Sequence, residues 1–327
     1  MPDLHVLEEY LSRHDRFIIS THESPDGDGL GAEIAFRELL LHLGKEAIIL
    51  NSDATPEKFL FVDQENEVNV FSKGCEIPDN LAEYAVFVLD TNDFENIGSV
   101  HPIIKDLDLL IIDHHEVNES RGSSRGHYIA VDASSTSEII YTLMRHFGAE
   151  PSRKAAQAIY TGILYDTGSF RYPKTSPATF RAIADLVERG ANPFNIYEQV
   201  YENNSLASFE LRALMLASME KYFDGRLILM RLTPEMLKES GASFSEGELN
   251  INLPHTVKGV VASILVKQDI GGPIKVSMRT KGDYDVAKIA MANGGGGHKN
   301  AAGYKSKLSL DETCRKVLQE MQHFFIL

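Results

Sequence analysis

Cysteine is scarce in this sequence, with only Cys75 and Cys314 among 327 residues. The two thiols have no metal-binding spacing, which argues against a thiolate site and agrees with a reducing compartment. Long apolar runs are also lacking, because stretches such as AIIL and LLII are far too short to cross a bilayer. The N-terminus has neither a basic start nor an apolar signal core. We therefore expect a cytoplasmic protein that does not bind membranes.

Positive charge is in deficit, since 32 lysines and arginines face 47 aspartates and glutamates, giving a net charge of −15. This balance disfavours a broad groove that follows the phosphates of long duplex DNA. It does not exclude a small anionic substrate, because divalent cations bound to aspartates would make the local field far less negative. The composition, 43% hydrophobic and 24% charged, is ordinary for a soluble globular protein, and the length is comfortable for two domains.

Three apolar segments of the first half each end on residue types that bind metal ions. They are Phe17 to Ile19, followed by His22, Asp26 and Asp28; Tyr84 to Leu89, followed by Asp90; and Leu109 to Ile112, followed by Asp113, His114 and His115. Such near-continuous apolar strands are typical of a parallel sheet covered on both faces. In open α/β sheets, ligands bind at the carboxyl ends of the strands. Asp166, which follows a predicted helix at 152–164, adds one more carboxylate.

One set of side chains combines four carboxylates with two imidazoles and no thiolate: His22, Asp26, Asp28, Asp90, His114 and Asp166. Oxygen-rich sites with a minority of imidazole suit manganese, magnesium or iron better than structural zinc. Such a set exceeds the need of one ion and suits two, bridged by one carboxylate at a separation of roughly 3.5–4 Å. Taken alone, Asp90 would more often cap a helix or close a turn. The whole set, with adjacent histidines after an apolar strand, predicts a two-metal site.

The rest of the pattern predicts an α/β protein with a second, smaller domain. We expect a parallel-sheet domain over residues 1–190, a helical connector over 191–220 and a mixed α/β domain over 221–327. The second domain carries predicted strands at 227–232, 260–267 and 274–279, helices at 285–291 and 309–324, and a polar loop at 241–255.

A run of four glycines stands out in the second domain: Gly294, Gly295, Gly296 and Gly297. Glycine runs are poor in regular elements, so they indicate either a close approach of the backbone or a flexible linker. A linker would normally be flanked by more serine or other polar residues. Here His298 and a lysine follow, which favours an anion cradle. Arg279, at the end of a predicted strand, either pairs with a substrate phosphate or is a solvated strand-end arginine.

The chain resembles the DHH phosphoesterase superfamily, named for the motif Asp113-His114-His115, in four segments: HESPDGDGLGA at 22–32, VLDT at 88–91, IDHHEVN at 112–118 and YTGILYDTGSF at 160–170. A fifth segment resembles the DHH-associated second domain, SMRTKGDYDVAKIAMANGGGGHKNAAG at 277–303. More narrowly, the chain resembles the two-domain oligoribonucleases and phosphoadenosine-phosphate (pAp) phosphatases that are called nanoRNases.

The resemblance implies two manganese ions, with Mg²⁺ or Co²⁺ as alternatives, and an active-site cleft between the two domains. The implied ligands of one ion are His22, Asp26 and Asp90, and those of the other are Asp28, Asp90, His114 and Asp166. Asp90 would bridge the two ions. Relatives also suggest a homodimer.

The resemblance further implies roles in catalysis and substrate binding. His115 would contact the scissile phosphate or assist protonation, and Asp113 would orient the histidines. The terminal phosphate and base of a nucleotide would be held by Arg279, Gly294, Gly295, Gly296, Gly297 and His298. One departure concerns the second motif, because relatives usually carry an arginine a few residues after its aspartate, whereas this chain reads Asp90-Thr91-Asn92-Asp93-Phe94. The missing arginine leaves the substrate preference open, whereas the implied metal chemistry does not depend on it.

The implied activity is hydrolysis of very short single-stranded RNA or linear dinucleotides to 5′-mononucleotides, and of pAp to AMP. One alternative is a cyclic di-AMP phosphodiesterase, which the sequence does not separate from the first activity. Another is a nucleotide sensor that binds without cleaving, which the filled ligand positions disfavour. An inorganic pyrophosphatase should have an Arg/Lys-rich second domain. A RecJ-like exonuclease should have a further nucleic-acid-binding domain and an excess of basic residues. The pyrophosphatase and the exonuclease therefore rank lower.

Overall fold

The first half of the chain is built on a parallel sheet. The computed structural model describes residues 2–71, 78, 80–116 and 126–325, and the chain divides into two units, Met1–Asn203 and Asn204–Leu327. Cys75 and the end of the third motif, Val117 and Asn118, lie outside the described residues. The strands of the first unit are β1 (Arg16–Ser20), β2 (Glu46–Asn51), β3 (Val68–Val70), β4 (Ala85–Leu89), β5 (Leu109–Asp113) and β6 (Gly126–Ile129). Their spatial order is β3-β2-β1-β4-β5-β6, and every neighbouring pair is parallel.

Both faces of this sheet are covered, which explains the apolar runs of its central strands. Phe17 and Ile19 belong to one buried apolar cluster, and Ile18 between them belongs to a cluster on the opposite face. All residues of β4 and β5 are buried. The chain order reverses at β1, whose neighbours are β2 and β4. At such a switch point the carboxyl ends of the strands flank a crevice that suits a ligand.

The helices of the first unit are α1 (Leu4–Arg13), α2 (Gly27–His42), α3 (His101–Ile104), α4 (Thr136–His146), α5 (Arg153–Asp166), α6 (Pro177–Glu188) and α7 (Pro193–Tyr201). Helix α2 begins at Gly27, five residues before Ala32, where the helical apolar pattern of the sequence starts. The reason is Asp26, whose carboxylate accepts hydrogen bonds from the backbone N–H groups of Asp28 (2.8 Å) and Gly29 (3.2 Å) and so caps the helix. Asp28 therefore lies in the first turn of a helix and not in a loop.

The second unit contains a mixed sheet. Its strands are β7 (Glu220–Tyr222), β8 (Leu227–Leu232), β9 (Ala262–Gln268), β10 (Ile274–Thr280), β11 (Gly296–His298) and β12 (Ala301–Ser306). Their order is β11-β12-β10-β9-β8-β7, antiparallel except for the parallel pair β8 and β9. Its helices are α8 (Leu206–Ala217), α9 (Pro234–Ser240), α10 (Phe244–Glu248), α11 (Val286–Ala292) and α12 (Leu310–Met321).

The two units confirm the predicted α/β class, with a parallel sheet in the first half and a mixed sheet in the second. The segment predicted as a polar loop contains α10 and a 3₁₀ helix at Leu249–Thr256. Strands β11 and β12 pair where the glycine run was expected to form a cradle. A Cβ atom on Gly295 would lie 2.2 Å from the Gly303 carbonyl oxygen, and one on Gly297 would lie 2.5 Å from the Ala301 carbonyl oxygen. These glycines therefore allow a close approach of the backbone to β12.

Within the described ranges, none of the helices combines the length and the apolar character that crossing a bilayer requires.

Candidate metal centre and active site

The side chains predicted to bind metal ions meet at the carboxyl ends of β1, β4 and β5 and at the end of α5. Their potential ligand atoms form three groups, within each of which all atoms lie within 4.8 Å of one another: His22, Asp26 and Asp90; Asp28, His114 and Asp166; and Asp90, Asp113, His114 and His115. His22 Nε2 lies 3.7 Å from an oxygen of Asp90, and His114 Nε2 lies 3.6 Å from the other oxygen of the same carboxylate. Asp90 thus lies between the two imidazoles.

The carboxylates of this site are crowded in a buried place. Asp28 is 1% exposed and Asp90 is 5% exposed. Burial, and then the charge of Asp28, raise the pKa of Asp26 above its usual range. Burial, and then the neighbouring aspartates, raise the pKa of Asp90 well above its usual range and that of Asp166 to about 7. A bound cation would stabilise the ionised carboxylates against burial and against their mutual repulsion, so the donor set suits divalent ions.

His114 has the properties of a metal ligand. It is 3% exposed, and neither ring nitrogen has a hydrogen-bond partner in the described part of the chain. Its Nε2 lies 3.4 Å from Asp166 Oδ2 and 3.9 Å from Asp28 Oδ2. Burial lowers the pKa of His114, which favours the neutral ring with a free lone pair. A buried imidazole without a partner, surrounded by carboxylate oxygens, fits a bound cation better than any purely structural role.

The N-terminus of α4 holds Asp28 in place. Asp28 Oδ2 accepts a hydrogen bond from the Thr136 backbone N–H (2.7 Å), and Oδ1 accepts one from that of Ser137 (2.9 Å). The Thr136 hydroxyl donates to Asp90 Oδ1 at 2.9 Å. The positive end of the helix therefore faces one predicted ligand while its first residue contacts another. Sequence reasoning missed Thr136 and Ser137. The run SSTSE does signal a helix start, since Ser135 caps α4, but nothing in it shows what that start faces.

Asp113 and His115 form a hydrogen-bonded pair beside the ligands. Asp113 is fully buried, and its Oδ1 accepts from the backbone N–H groups of His114 (2.7 Å) and His115 (3.2 Å) and lies 2.8 Å from His115 Nδ1. Burial raises the pKa of Asp113, but the hydrogen bonds from the His115 ring and backbone and the charges of His115 and His114 together outweigh it, so the pKa is lower than usual. The hydrogen bond between the two side chains raises the pKa of His115. The His115 side chain is 54% exposed, so its ring can offer a proton to a bound molecule.

The residues predicted to bind substrate lie on β10, on β11 or directly before β11, and these two strands flank β12 in the second unit. Ala301 of β12 is the register partner of both Arg279 on β10 and His298 on β11, which brings these two positions to the same end of the sheet. Gly294 to Gly297 and His298 are exposed. The Arg279 guanidinium donates to the Met278 carbonyl oxygen at 3.0 Å, and it makes no ion pair with a carboxylate of the described residues. It therefore remains available to an anion.

A buried polar network lies beneath the ligands. The Asn51 amide donates to Glu33 Oε2 at 2.9 Å and accepts from the Thr21 backbone N–H at 3.3 Å. The Thr21 hydroxyl donates to the Leu89 carbonyl oxygen at 2.9 Å. Thr21 directly precedes His22, and Leu89 directly precedes Asp90. The network thus fixes the ends of β1 and β4, on which two predicted ligands depend. Sequence reasoning gave no role to Glu33.

Glu33 should make the stability of the protein depend on pH. It is fully buried, and burial raises its pKa from 4.5 to about 8. Between these values the unfolded chain ionises this carboxyl and the folded chain does not, so the folded state loses stability as the pH rises. Replacing Glu33 by Gln removes this loss. We expect the free energy of unfolding of E33Q, relative to the unaltered protein, to increase from pH 5 to pH 9 by on the order of a few kcal/mol.

Urea unfolding in chelator at pH 5, 7 and 9 measures the difference, and the chelator keeps metal binding out of the comparison. Glu150→Gln, at an exposed glutamate, is the matched control. The difference in free energy of unfolding between this variant and the unaltered protein should be the same at all three pH values. Parallel pH profiles for E33Q and the unaltered protein would show that Glu33 is ionised in the folded state.

Two family models match the chain. Residues 16–163 match the DHH family, N-terminal domain, and residues 238–326 match the DHHA1 domain. The first match contains β1 to β6 and the second contains β9 to β12, so each folded unit carries one of them.

Individual proteins are similar over nearly the whole chain. The bifunctional oligoribonuclease and PAP phosphatase NrnA of Thermus thermophilus is 30% identical, over 93% of this chain and 88% of its own. The cyclic-di-AMP phosphodiesterase GdpP of Geobacillus thermodenitrificans is 25% identical over 98% of this chain, which matches 49% of that protein. A solved structure, an exopolyphosphatase-related protein from Bacteroides fragilis, superposes with a TM-score of 0.89 at 25% identity, covering 98% of this chain and 96% of that one. These matches confirm the predicted resemblance: the chain belongs to the DHH phosphoesterase superfamily, in its two-domain nanoRNase subfamily, and is a hydrolase of phosphoester bonds.

Proposed function

We propose that this protein hydrolyses short single-stranded oligoribonucleotides and linear dinucleotides to 5′-mononucleotides, and pAp to AMP, with two divalent cations. The observation that carries the proposal is the placement of Asp90 between the imidazoles of His22 and His114, where one carboxylate can serve two ions. Similarity over most of its length to a protein named a bifunctional oligoribonuclease and PAP phosphatase supports the choice of substrates.

The proposed ligands follow the groups in the structure. His22, Asp26 and Asp90 would hold one ion, and Asp28, His114 and Asp166 would hold the other. Asp90, whose Oδ1 lies 3.6 Å from His114 Nε2, would also bind the second ion. Four carboxylates and two imidazoles suit manganese, which we propose as the preferred ion over Mg²⁺ or Co²⁺. Bound ions of this kind stabilise charge on a phosphoryl group and lower the pKa of water.

The chain's own groups would complete the site. His115, whose pKa is raised by its hydrogen bond to Asp113, would hold a proton for the oxygen that leaves. Asp113 would keep the ring in one orientation, since its carboxylate also accepts from the backbone N–H groups of both histidines. Arg279, whose guanidinium makes no ion pair with a described carboxylate, and the exposed glycine run before His298 would hold the terminal nucleotide.

A second candidate, cleavage of cyclic di-AMP, is favoured by the similarity to GdpP. This chain corresponds to about half of that protein, whereas it corresponds to 88% of the Thermus thermophilus relative. We therefore rank the linear substrates first.

Chromatography of reaction products should decide between these activities. Chelator-treated protein supplied with Mn²⁺ is incubated with pAp, linear pApA, a five-nucleotide RNA, cyclic di-AMP and pyrophosphate. We expect release of AMP from pAp and pApA, mononucleotides from the RNA, and little product from the cyclic dinucleotide or pyrophosphate. Faster opening of cyclic di-AMP would overturn the ranking, and tight binding without turnover would make the protein a sensor.

A further inference from the structure

Lys58 is a half-buried lysine that the proposed site does not yet use. It lies in a 3₁₀ helix, Glu57–Phe59, that follows β2. Its Nζ is 4.6 Å from the ring centroid of Phe59 and 4.8 Å from that of Tyr165. Among the residues that the structure describes, Lys58 has no hydrogen-bond or ion-pair partner, so aromatic faces alone hold the ammonium group.

The two rings beneath Lys58 lie directly against the start of helix α2, between Asp26 and Asp28. A Cβ atom on Gly27, the residue between them, would lie 3.0 Å from both Phe59 Cε1 and Tyr165 Cβ. The rings meet edge to face with centroids 5.3 Å apart. Tyr165 also directly precedes Asp166 on α5. The platform of Phe59 and Tyr165 therefore sets the Lys58 ammonium beside the metal centre.

The environment of Lys58 favours an anion that is not part of the protein. Burial lowers the pKa of Lys58, and Asp26 is the carboxylate that opposes this effect. The half-buried Lys154, by contrast, pairs with Glu65 and Glu67. A half-buried ammonium without an ion pair loses hydration, and the aromatic contacts restore only a part of the lost free energy. When cations neutralise the aspartates, Lys58 keeps unused N–H donors at the edge of the site.

We propose that Lys58 binds a phosphate group of the substrate beside the metal centre. The inference rests on the proposed function, because it takes a nucleotide phosphate as the ligand. Binding in the ground state should appear in KM more than in kcat. A charge-assisted hydrogen bond to phosphate contributes about 1.5–3 kcal/mol, and loss of Lys58 should therefore raise KM about 10- to 100-fold.

The main test compares Lys58→Met and Lys58→Arg with the unaltered protein on pApA and pAp in Mn²⁺. Methionine keeps apolar contact with the two rings but lacks the charge. K58M should show the raised KM, and K58R should recover most of the affinity. The KM of the unaltered protein should rise with added salt more steeply than that of K58M, which a packing role would not produce. Lys221→Met, which removes an exposed charge from strand β7 of the second unit, is the control and should behave as the unaltered protein.

Equilibrium binding of AMP, followed by calorimetry on the same proteins, separates failure of this inference from failure of the proposed function. If the unaltered protein cleaves pApA and K58M has the same KM, salt dependence and AMP affinity, the inference is wrong. If no substrate is cleaved but K58M binds AMP at least tenfold more weakly, the proposed function fails while the phosphate contact stands. Equal melting temperatures of K58M and the unaltered protein exclude a folding defect as the cause.

Discussion

Replacing Asp90 by Asn or Ala is expected to abolish turnover without unfolding the first unit. Asp90 lies between His22 and His114, so its loss removes an oxygen ligand from both proposed ions. Residues that only support a metal ligand typically contribute 10- to 100-fold, and a shared ligand should therefore cost more than about 100-fold in metal affinity and in rate. Product chromatography in Mn²⁺ and a calorimetric metal titration measure the two effects.

The fold of these variants can be checked without metal. Asp90 has a left-handed backbone, with φ of 61°, which Asn tolerates better than Ala, so D90N is the cleaner variant. Its amide oxygen can still accept from Thr136. Because D90N removes a carboxyl group whose ionisation is opposed by burial and by the neighbouring aspartates, its melting temperature in chelator should equal or exceed that of the unaltered protein. Asp132→Asn, at an exposed aspartate, is the control. A folded D90N protein with undiminished turnover would contradict the role of Asp90 in both ion sites.

Replacing Gly162 by alanine is expected to damage the metal centre although Gly162 is not a ligand. A Cβ atom at this position on α5 would lie 2.0 Å from Ser137 Oγ and 2.8 Å from Asp28 Oδ1. The added methyl group must displace the Asp28 carboxylate or the start of α4 that binds it. Overpacking of this kind typically costs about 1–3 kcal/mol of stability. Metal affinity should fall about 10- to 100-fold, as for other residues that position a ligand.

Thermal unfolding in chelator and a Mn²⁺ titration measure the two consequences of G162A separately. Gly126→Ala is the matched control, because a Cβ atom there would meet its nearest neighbours at an ordinary 3.7 Å. G126A should change neither property. A G162A protein that binds Mn²⁺ as tightly as the unaltered protein would show that Asp28 can shift without loss of the site.

The sequence predicts the first sheet well because its physical causes are local. Strands β1, β4 and β5 each contain a continuous apolar run that ends on, or directly before, a polar residue, so their place and direction follow from pattern alone. Strand β11 could not be found in this way, since Gly296–His298 has neither alternation nor bulky side chains. It exists because β12 lies beside it, and its glycines permit that approach.

In the candidate site, too, some residues could be predicted from local sequence patterns and others depend on tertiary contacts. Its predicted ligands come from strand ends and motifs that the sequence displays directly. The groups that position those ligands depend on contacts between distant segments: Thr136 is 108 residues away from the Asp28 carboxylate to which its backbone N–H donates. Glu33 is linked to the end of β1 through Asn51. No periodicity or spacing carries such information, because tertiary packing creates it.

The short outer strands of both sheets bear on how the protein avoids aggregation. Strands β3, β7 and β11 have three residues each and β6 has four, and in the described part of the chain these four strands are the outer edges of the two sheets. An edge strand offers unpaired N–H and C=O groups to other chains, and a short one is a poor template for such pairing. The glycine-rich β11 is thus compatible with solubility because of its length, although it has almost no side chains to shield its backbone.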